Sequence, residues 1–173
     1  MTAQQRYSMK LTKLRSTYFR AIICLGFILI GTTCIRAQTV SVYPRQNLSF
    51  GAIILGTTTG TVTVSNSGVR SSTGDLILAG LGVFYFPATF EIEAPANKSI
   101  SILTSTNTQL SSINGGSMML SLGIPDKGSL FINMVAPPQR TTISIGGTLT
   151  VGNEQSNPAG SYSGTFSITF IQE

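Results

Sequence analysis

From residue 38 onward the chain alternates apolar and hydroxyl-bearing side chains. In Gly60-Thr61-Val62-Thr63-Val64-Ser65-Asn66 the valines fall on one face and the threonines on the other, the period of two expected of a half-buried strand. The same alternation runs through 88–94, 99–102, 117–122, 129–134 and 142–145. It closes the chain, where Gly164, Phe166, Ile168 and Phe170 alternate with Ser163, Thr165, Ser167 and Thr169. The apolar positions of these strands are the expected core.

Turn chemistry separates the runs. Asn66-Ser67-Gly68, Ser72-Thr73-Gly74-Asp75, Asn114-Gly115-Gly116, Pro125-Asp126-Lys127-Gly128 and Asn157-Pro158-Ala159-Gly160 combine residues that tolerate positive φ with proline, which presets its own. No window after residue 37 keeps a helical apolar period beyond two turns. Many short strands at this spacing predict two packed antiparallel sheets. The expectation is an all-β fold, an antiparallel β-sandwich forming one domain over residues 38–173, with no linker and no internal repeat.

Residues 1–37 break the pattern. Arg6, Lys10, Lys13, Arg15 and Arg20 carry no acidic neighbour and lead into the apolar run 21–30, the order of a secretory signal peptide, helical and cleaved. The run softens through Gly31, Thr32 and Thr33, and the small residue Ala37 places the expected cut between Ala37 and Gln38. Ile35 is bulkier than the residue favoured at its position, which leaves the bond less sharply defined than the signal. Met9 opens a shorter version of the same signal, so the start is Met1 or Met9. A retained anchor needs about 20 apolar residues, more than 21–35 supplies. A lipoprotein signal through Cys34 would have leucine three positions back, where Gly31 stands.

Removing the signal changes the charge. The whole chain carries 11 Lys and Arg against 6 Asp and Glu, but Arg6, Lys10, Lys13, Arg15, Arg20 and Arg36 all precede Gln38. Five cations and six anions remain, a net charge of −1, and the basic patch that nucleic-acid binding requires is missing. Both cysteines, Cys24 and Cys34, leave as well, so the expected mature domain has no disulfide and no thiolate, and its stability rests on its core.

Histidine is absent, which removes the commonest general base and the commonest transition-metal ligand. Glu91 and Glu93 lie on one face of a strand, about 6 to 7 Å apart, a separation related to that of glycosidase acids. Their face alternates with Phe90 and Ile92 and is expected to be solvated, which argues against catalysis. Asp75 and Asp126 sit in glycine-containing turns, each alone, whereas calcium takes about six to eight oxygen ligands. The expectation is no catalytic residue, no cofactor and no metal. The cluster 83–87 (Val-Phe-Tyr-Phe-Pro) is expected as core and strand edge rather than as a binding patch. The arm Gln38-Thr39-Val40-Ser41-Val42-Tyr43 can pair within its own sheet or, through Val40 and Val42, add as a strand to a second molecule.

The string Gly146-Gly147-Thr148-Leu149-Thr150-Val151, followed by residues 157–169 (Asn-Pro-Ala-Gly-Ser-Tyr-Ser-Gly-Thr-Phe-Ser-Ile-Thr), resembles the carboxy-terminal signature of the bacterial family called domain of unknown function 4402. Leu48-x-Phe50-Gly51, residues 60–64 and Pro87-Ala88-x-Phe90 follow the same pattern in order. The family is similar to the spore coat protein U and Csu-type pilin domains. That resemblance implies an immunoglobulin-like sandwich, cell-surface location and assembly of subunits. The cysteines and the longer arm that those pilins often carry are missing, and the family supplies no catalytic residue to transfer.

Two functions are expected from this reading. One is a non-enzymatic structural or adhesive subunit of the bacterial cell surface, pilin-like and assembled by β-strand addition with itself or other surface subunits. The other is a monomeric secreted module that binds a glycan or another surface ligand through loops such as 69–75 or 98–114. Periplasm, cell surface and extracellular space all suit either, with no nucleic-acid partner and no membrane span after cleavage. Intact-mass measurement of the exported protein is expected to give a chain beginning at Gln38; retention of residues 1–37 would remove the signal-peptide reading.

Overall fold

The computed structural model describes residues 40–173. The expected signal peptide, its cleavage point at Ala37 and Gln38, and both cysteines lie outside the described residues. The described chain forms fifteen strands: β1 (Ser41–Gln46), β2 (Ser49–Phe50), β3 (Ala52–Leu55), β4 (Gly60–Val64), β5 (Arg70–Thr73), β6 (Leu76–Ala79), β7 (Tyr85–Phe86), β8 (Ala88–Glu93), β9 (Lys98–Thr104), β10 (Thr108–Ser111), β11 (Ser117–Leu122), β12 (Leu130–Asn133), β13 (Thr141–Ile145), β14 (Gly147–Val151) and β15 (Ile168–Gln172). There is no helix among the described residues, and all strand pairing is antiparallel.

The strands order as β1-β8-β13, β10-β11-β14-β4-β5 and β12-β9-β15, with two ribbons, β2-β7 and β3-β6. Two apolar cores result. Ile92, Ile143 and Ile145 from the first sheet pack with Ile100 and Ile102 of β9, and Phe90 meets Phe170 of β15 with ring centroids 6.0 Å apart. Val62, Val64, Met118, Leu120, Leu149 and Val151 of the five-stranded sheet pack with Phe50 and Leu76 of the ribbons. β13 and β14 are one run of chain, broken only at Gly146, and contribute to both cores. β15 starts at Ile168, yet Ser163 and Ser167 bond to the backbone of Ser111 and Ser105, so the closing segment lies along β10 and β9 from residue 163.

Where the alternation is unambiguous the expected faces appear. Val62, Val64, Ile92, Ile100, Ile102, Met118, Leu120, Ile143 and Ile145 are buried. β12 inverts. Period two sets Leu130, Ile132 and Met134 on one face, but this apolar set points outward, 60%, 59% and 75% exposed, while Phe131 and Asn133 point in. Asn133 accounts for the inversion. It is 1% exposed, and its amide donates to the carbonyls of Ala94 (2.8 Å), Pro95 (3.1 Å) and Val135 (2.7 Å), while its oxygen accepts from Thr141 Oγ1 at 2.6 Å. One side chain thus closes carbonyls that no strand partner reaches, and a buried carbonyl left open is costly. Asn133→Ala is expected to lose about 2 to 4 kcal/mol in urea unfolding; a loss within 0.5 kcal/mol, the ordinary range for a surface change, would deny the knot its role.

Candidate functional site

The arm expected to carry strand addition is itself paired in a sheet. Ser41–Gln46 pairs with β8: Ser41 faces Glu93, Val42 faces Ile92, Tyr43 faces Glu91, and the ladder slips between Pro44 and Gln46. Val40 packs against the core around Ile92. Val42 shares Ile92's face but stands at the sheet edge, 39% exposed. In this structure Val42 therefore belongs to its own sheet, and Val40, just before β1, to the core beside it.

The opposite face of the same ladder is ionic. Tyr43 and Arg45 on β1, Glu91 and Glu93 on β8, and Arg140 just before β13 form one cluster. Arg45 Nη2 bonds Glu91 Oε2 at 2.6 Å, and Arg140 reaches Glu91 and Glu93 at 3.4 Å each while lying 3.7 Å from the centre of the Tyr43 ring. The hydrogen bond from Arg45, supported by Arg140 and opposed by partial desolvation, holds the Glu91 carboxyl below its ordinary value. The two glutamates expected to share a face do so, and each is tied to arginine. For Glu91 that arrangement favours the charged form, the reverse of a carboxyl whose pKa is raised to act as an acid.

The second feature is a groove of about 780 Å³ that opens into the core of the five-stranded sheet. Leu48, Phe50, Ile53 and Leu55 form one wall, residues 157–162 the other, and Leu110, Met118 and Leu149 of three neighbouring strands line it between them. Among the described residues β2 and β3 each pair with a single strand, so one edge of each has no strand partner there. The far wall is held rigidly. Asn157, 1% exposed, accepts from Gly152 N at 2.6 Å and donates to the Ser117 carbonyl at 2.7 Å, and Tyr162 donates to the Pro158 carbonyl at 2.8 Å. Gly116, at φ +79°, lets the β10–β11 turn pass this wall, since a Cβ there would come within 2.6 Å of the Ser156 carbonyl oxygen. Among the described residues Glu154 is the one acidic or basic side chain lining the groove. What the groove offers a ligand is apolar surface and backbone.

The remaining sequence candidates take structural positions. Asp75 accepts from Thr57 N at 2.9 Å, and Asp126 accepts from Ser144 N at 2.8 Å. Residues 69–75 and 98–114, expected as ligand loops, are largely strand, containing β5, β9 and β10. Residues 83–87, expected as core and strand edge, are mostly surface: Phe84 is 72% exposed, and Tyr85 and Phe86 42% each. Ser49 Oγ holds the Phe84 carbonyl at 2.8 Å, and the Arg70 guanidinium lies 5.2 Å from the centre of the Tyr85 ring. Leu81, Ile77 and Ile54 extend this apolar tip across the β3-β6 ribbon, where Ile54 faces Ile77. The dense aromatic run was its only sequence signal, and composition alone does not separate a core run from an exposed one.

Because Glu91's pKa is lowered in the folded chain, its contribution is present above the unfolded carboxylate value and lost as pH falls through the folded one. Thermal melts from about pH 7 to about pH 3 are expected to show a weaker acid dependence in Glu91→Gln than in the native chain. Equal slopes would mean that the cluster does not stabilise the β1–β8 ladder.

No curated protein and no solved structure matches the chain. Residues 40–171, from the third residue of the arm to the penultimate residue of β15, match the sequence profile of a domain of unknown function, DUF4402. The groove, the ionic cluster and the paired arm all lie inside that span, and the chain belongs to the DUF4402 family.

Proposed function

We propose that the protein is an exported, non-enzymatic structural or adhesive subunit of the bacterial cell surface, immunoglobulin-like and pilin-like in build, which assembles by β-strand addition. The observation that supports this most is the groove: it is walled by β2 and β3, each with an edge lacking a strand partner, and lined by apolar side chains from three adjacent strands. An extended segment laid along such a wall gains backbone hydrogen bonds, and its alternate side chains enter the apolar lining. The arm of a second copy supplies a segment of this pattern, with Val40 and Val42 two residues apart. For the arm to serve as donor it must leave β8, so exchange competes with the Arg45–Glu91 and Arg140–Tyr43 contacts.

A second reading, a monomeric module for a glycan or another surface ligand, is favoured by the exposed rings of Phe84, Tyr85 and Phe86. These rings stand on a ribbon and its loop, and aromatic faces of this kind stack on apolar faces of a ligand. Deletion of residues 38–43 separates the two readings. Strand addition predicts that the deleted chain stays folded by circular dichroism and no longer forms oligomers larger than a dimer in light scattering. An unchanged assembly state would remove the arm as donor, and a native chain that is monomeric and binds glycan through Phe84 would replace the first reading with the second.

A further inference from the structure

β12 presents a surface that the groove and the arm do not use. From Ser129 to Ala136 the sequence is Ser-Leu-Phe-Ile-Asn-Met-Val-Ala, with no charge between Lys127 and Arg140. With Asn133 and Phe131 committed inward, Leu130, Ile132 and Met134 form an apolar row on the outer side, at 60%, 59% and 75% exposure. Leu103 of β9 is exposed beside them at 55%. In the ladder Leu130 faces Ser101 and Ile132 faces Ser99, short side chains that leave the row standing proud of the sheet.

This row lies on an open edge. Among the described residues β12 ends its sheet, with β9 as its one strand neighbour. Ser129 accepts from Ile102 N at 2.8 Å, so Ser129 belongs to a hydrogen-bonded pair with β9. Antiparallel pairing alternates, which turns the N–H and C=O of Leu130 and Ile132 away from β9. Other edges are blunted in ways known to discourage pairing. β1 carries Pro44 and Arg45, β5 reads Arg-Ser-Ser-Thr, and the edge of β15 runs into Glu173. β12 has no such guard.

We propose that β12 is a self-association edge, pairing antiparallel with β12 of a second copy about a two-fold axis and joining two three-stranded sheets into one of six. This does not rest on strand exchange through the arm. Residues facing each other across a ladder share a side of the sheet, so only registers matching even positions with even positions keep the apolar row together. The register that uses the whole row sets Ile132 against Ile132 of the partner subunit and Leu130 against Met134 of the partner subunit. No charged side chain opposes another in that row. A short edge and three side chains cover less than the about 800 Å² per partner of a standard stable complex, so the dimer is weak and forms by mass action, with a dissociation constant on the order of micromolar.

Sedimentation velocity of the purified protein from roughly 5 to roughly 500 µM reads the proposal. The native chain is expected to pass from monomer to dimer over that range. Ile132→Lys places two ammonium groups opposite each other at the axis and is expected to weaken the dimer by at least about tenfold. Met119→Lys adds the same charge at a 41% exposed position on another sheet and is expected to leave the dimer intact. Deletion of residues 38–43 is also expected to leave it intact, which separates this edge from exchange through the arm. Because Ile132 is exposed, loss of folding is not the expected cause of any change, and circular dichroism checks it. A native chain that stays monomeric throughout, or an Ile132→Lys dimer as tight as the native one, overturns the proposal.

Discussion

The structure depends on a single corner. At Gly146 the chain leaves the sheet of β8 and enters the sheet of β11 and β4, so that Ile143 and Ile145 fill one core and Leu149 and Val151 the other. A Cβ at this point would lie 2.1 Å from the Val64 carbonyl oxygen and 2.6 Å from the Ser65 carbonyl carbon, backbone atoms that cannot move without disturbing β4. Its own carbonyl accepts from Gly123 N at 2.9 Å, so the corner is tied down as well as close-packed. The two cores share this one strand, and the absence of a side chain at one position is what lets them do so.

Alternation made much of this legible. Val62 and Val64, Ile100 and Ile102, Ile143 and Ile145 could be placed inward because their partners on the other face are hydroxyls or serines, and one face plainly suits water better. The pattern loses its force where both faces are mixed. In Leu130-Phe131-Ile132-Asn133-Met134 period two identifies the faces but not which is inside, and the choice falls to the carbonyls of Ala94, Pro95 and Val135, brought together by the fold and invisible in sequence. The groove was illegible for a related reason. Leu48, Leu110 and Leu149 come from distant parts of the chain, and no local spacing says that they meet around a space rather than around each other.

The exposed aromatics failed in the opposite direction. A run of four large apolar residues before Pro87 reads as core, because burial of such side chains is the usual route to stability. Here the run lies at a ribbon: β7 is two residues long and pairs only with β2, and a ribbon of two strands has no second layer to hide both of its faces. Short strands also explain why β3, β5, β6 and β10 left little trace in the pattern. Four residues give two positions per face, too few for alternation to rise above composition.

The outer face of β1 and β8 shows how a few opposite charges can be organised on one side of a ladder. Tyr43, Glu91 and Glu93 alternate with Val42 and Ile92, so the arm is held on one side by Val40 against the core around Ile92 and on the other by Arg45, Glu91, Glu93 and Arg140. Exposed ion pairs contribute little individually, but three pairs and a ring share the same few atoms, and salt or acid loosens them together. The apolar half responds to neither. An arm built this way is held firmly at neutral pH and low ionic strength, and its hold weakens on the ionic side first. Exchange with a second copy, if it proceeds through Val40 and Val42, is therefore a competition between like strands in which only the ionic side distinguishes the arm at home from the arm in a groove.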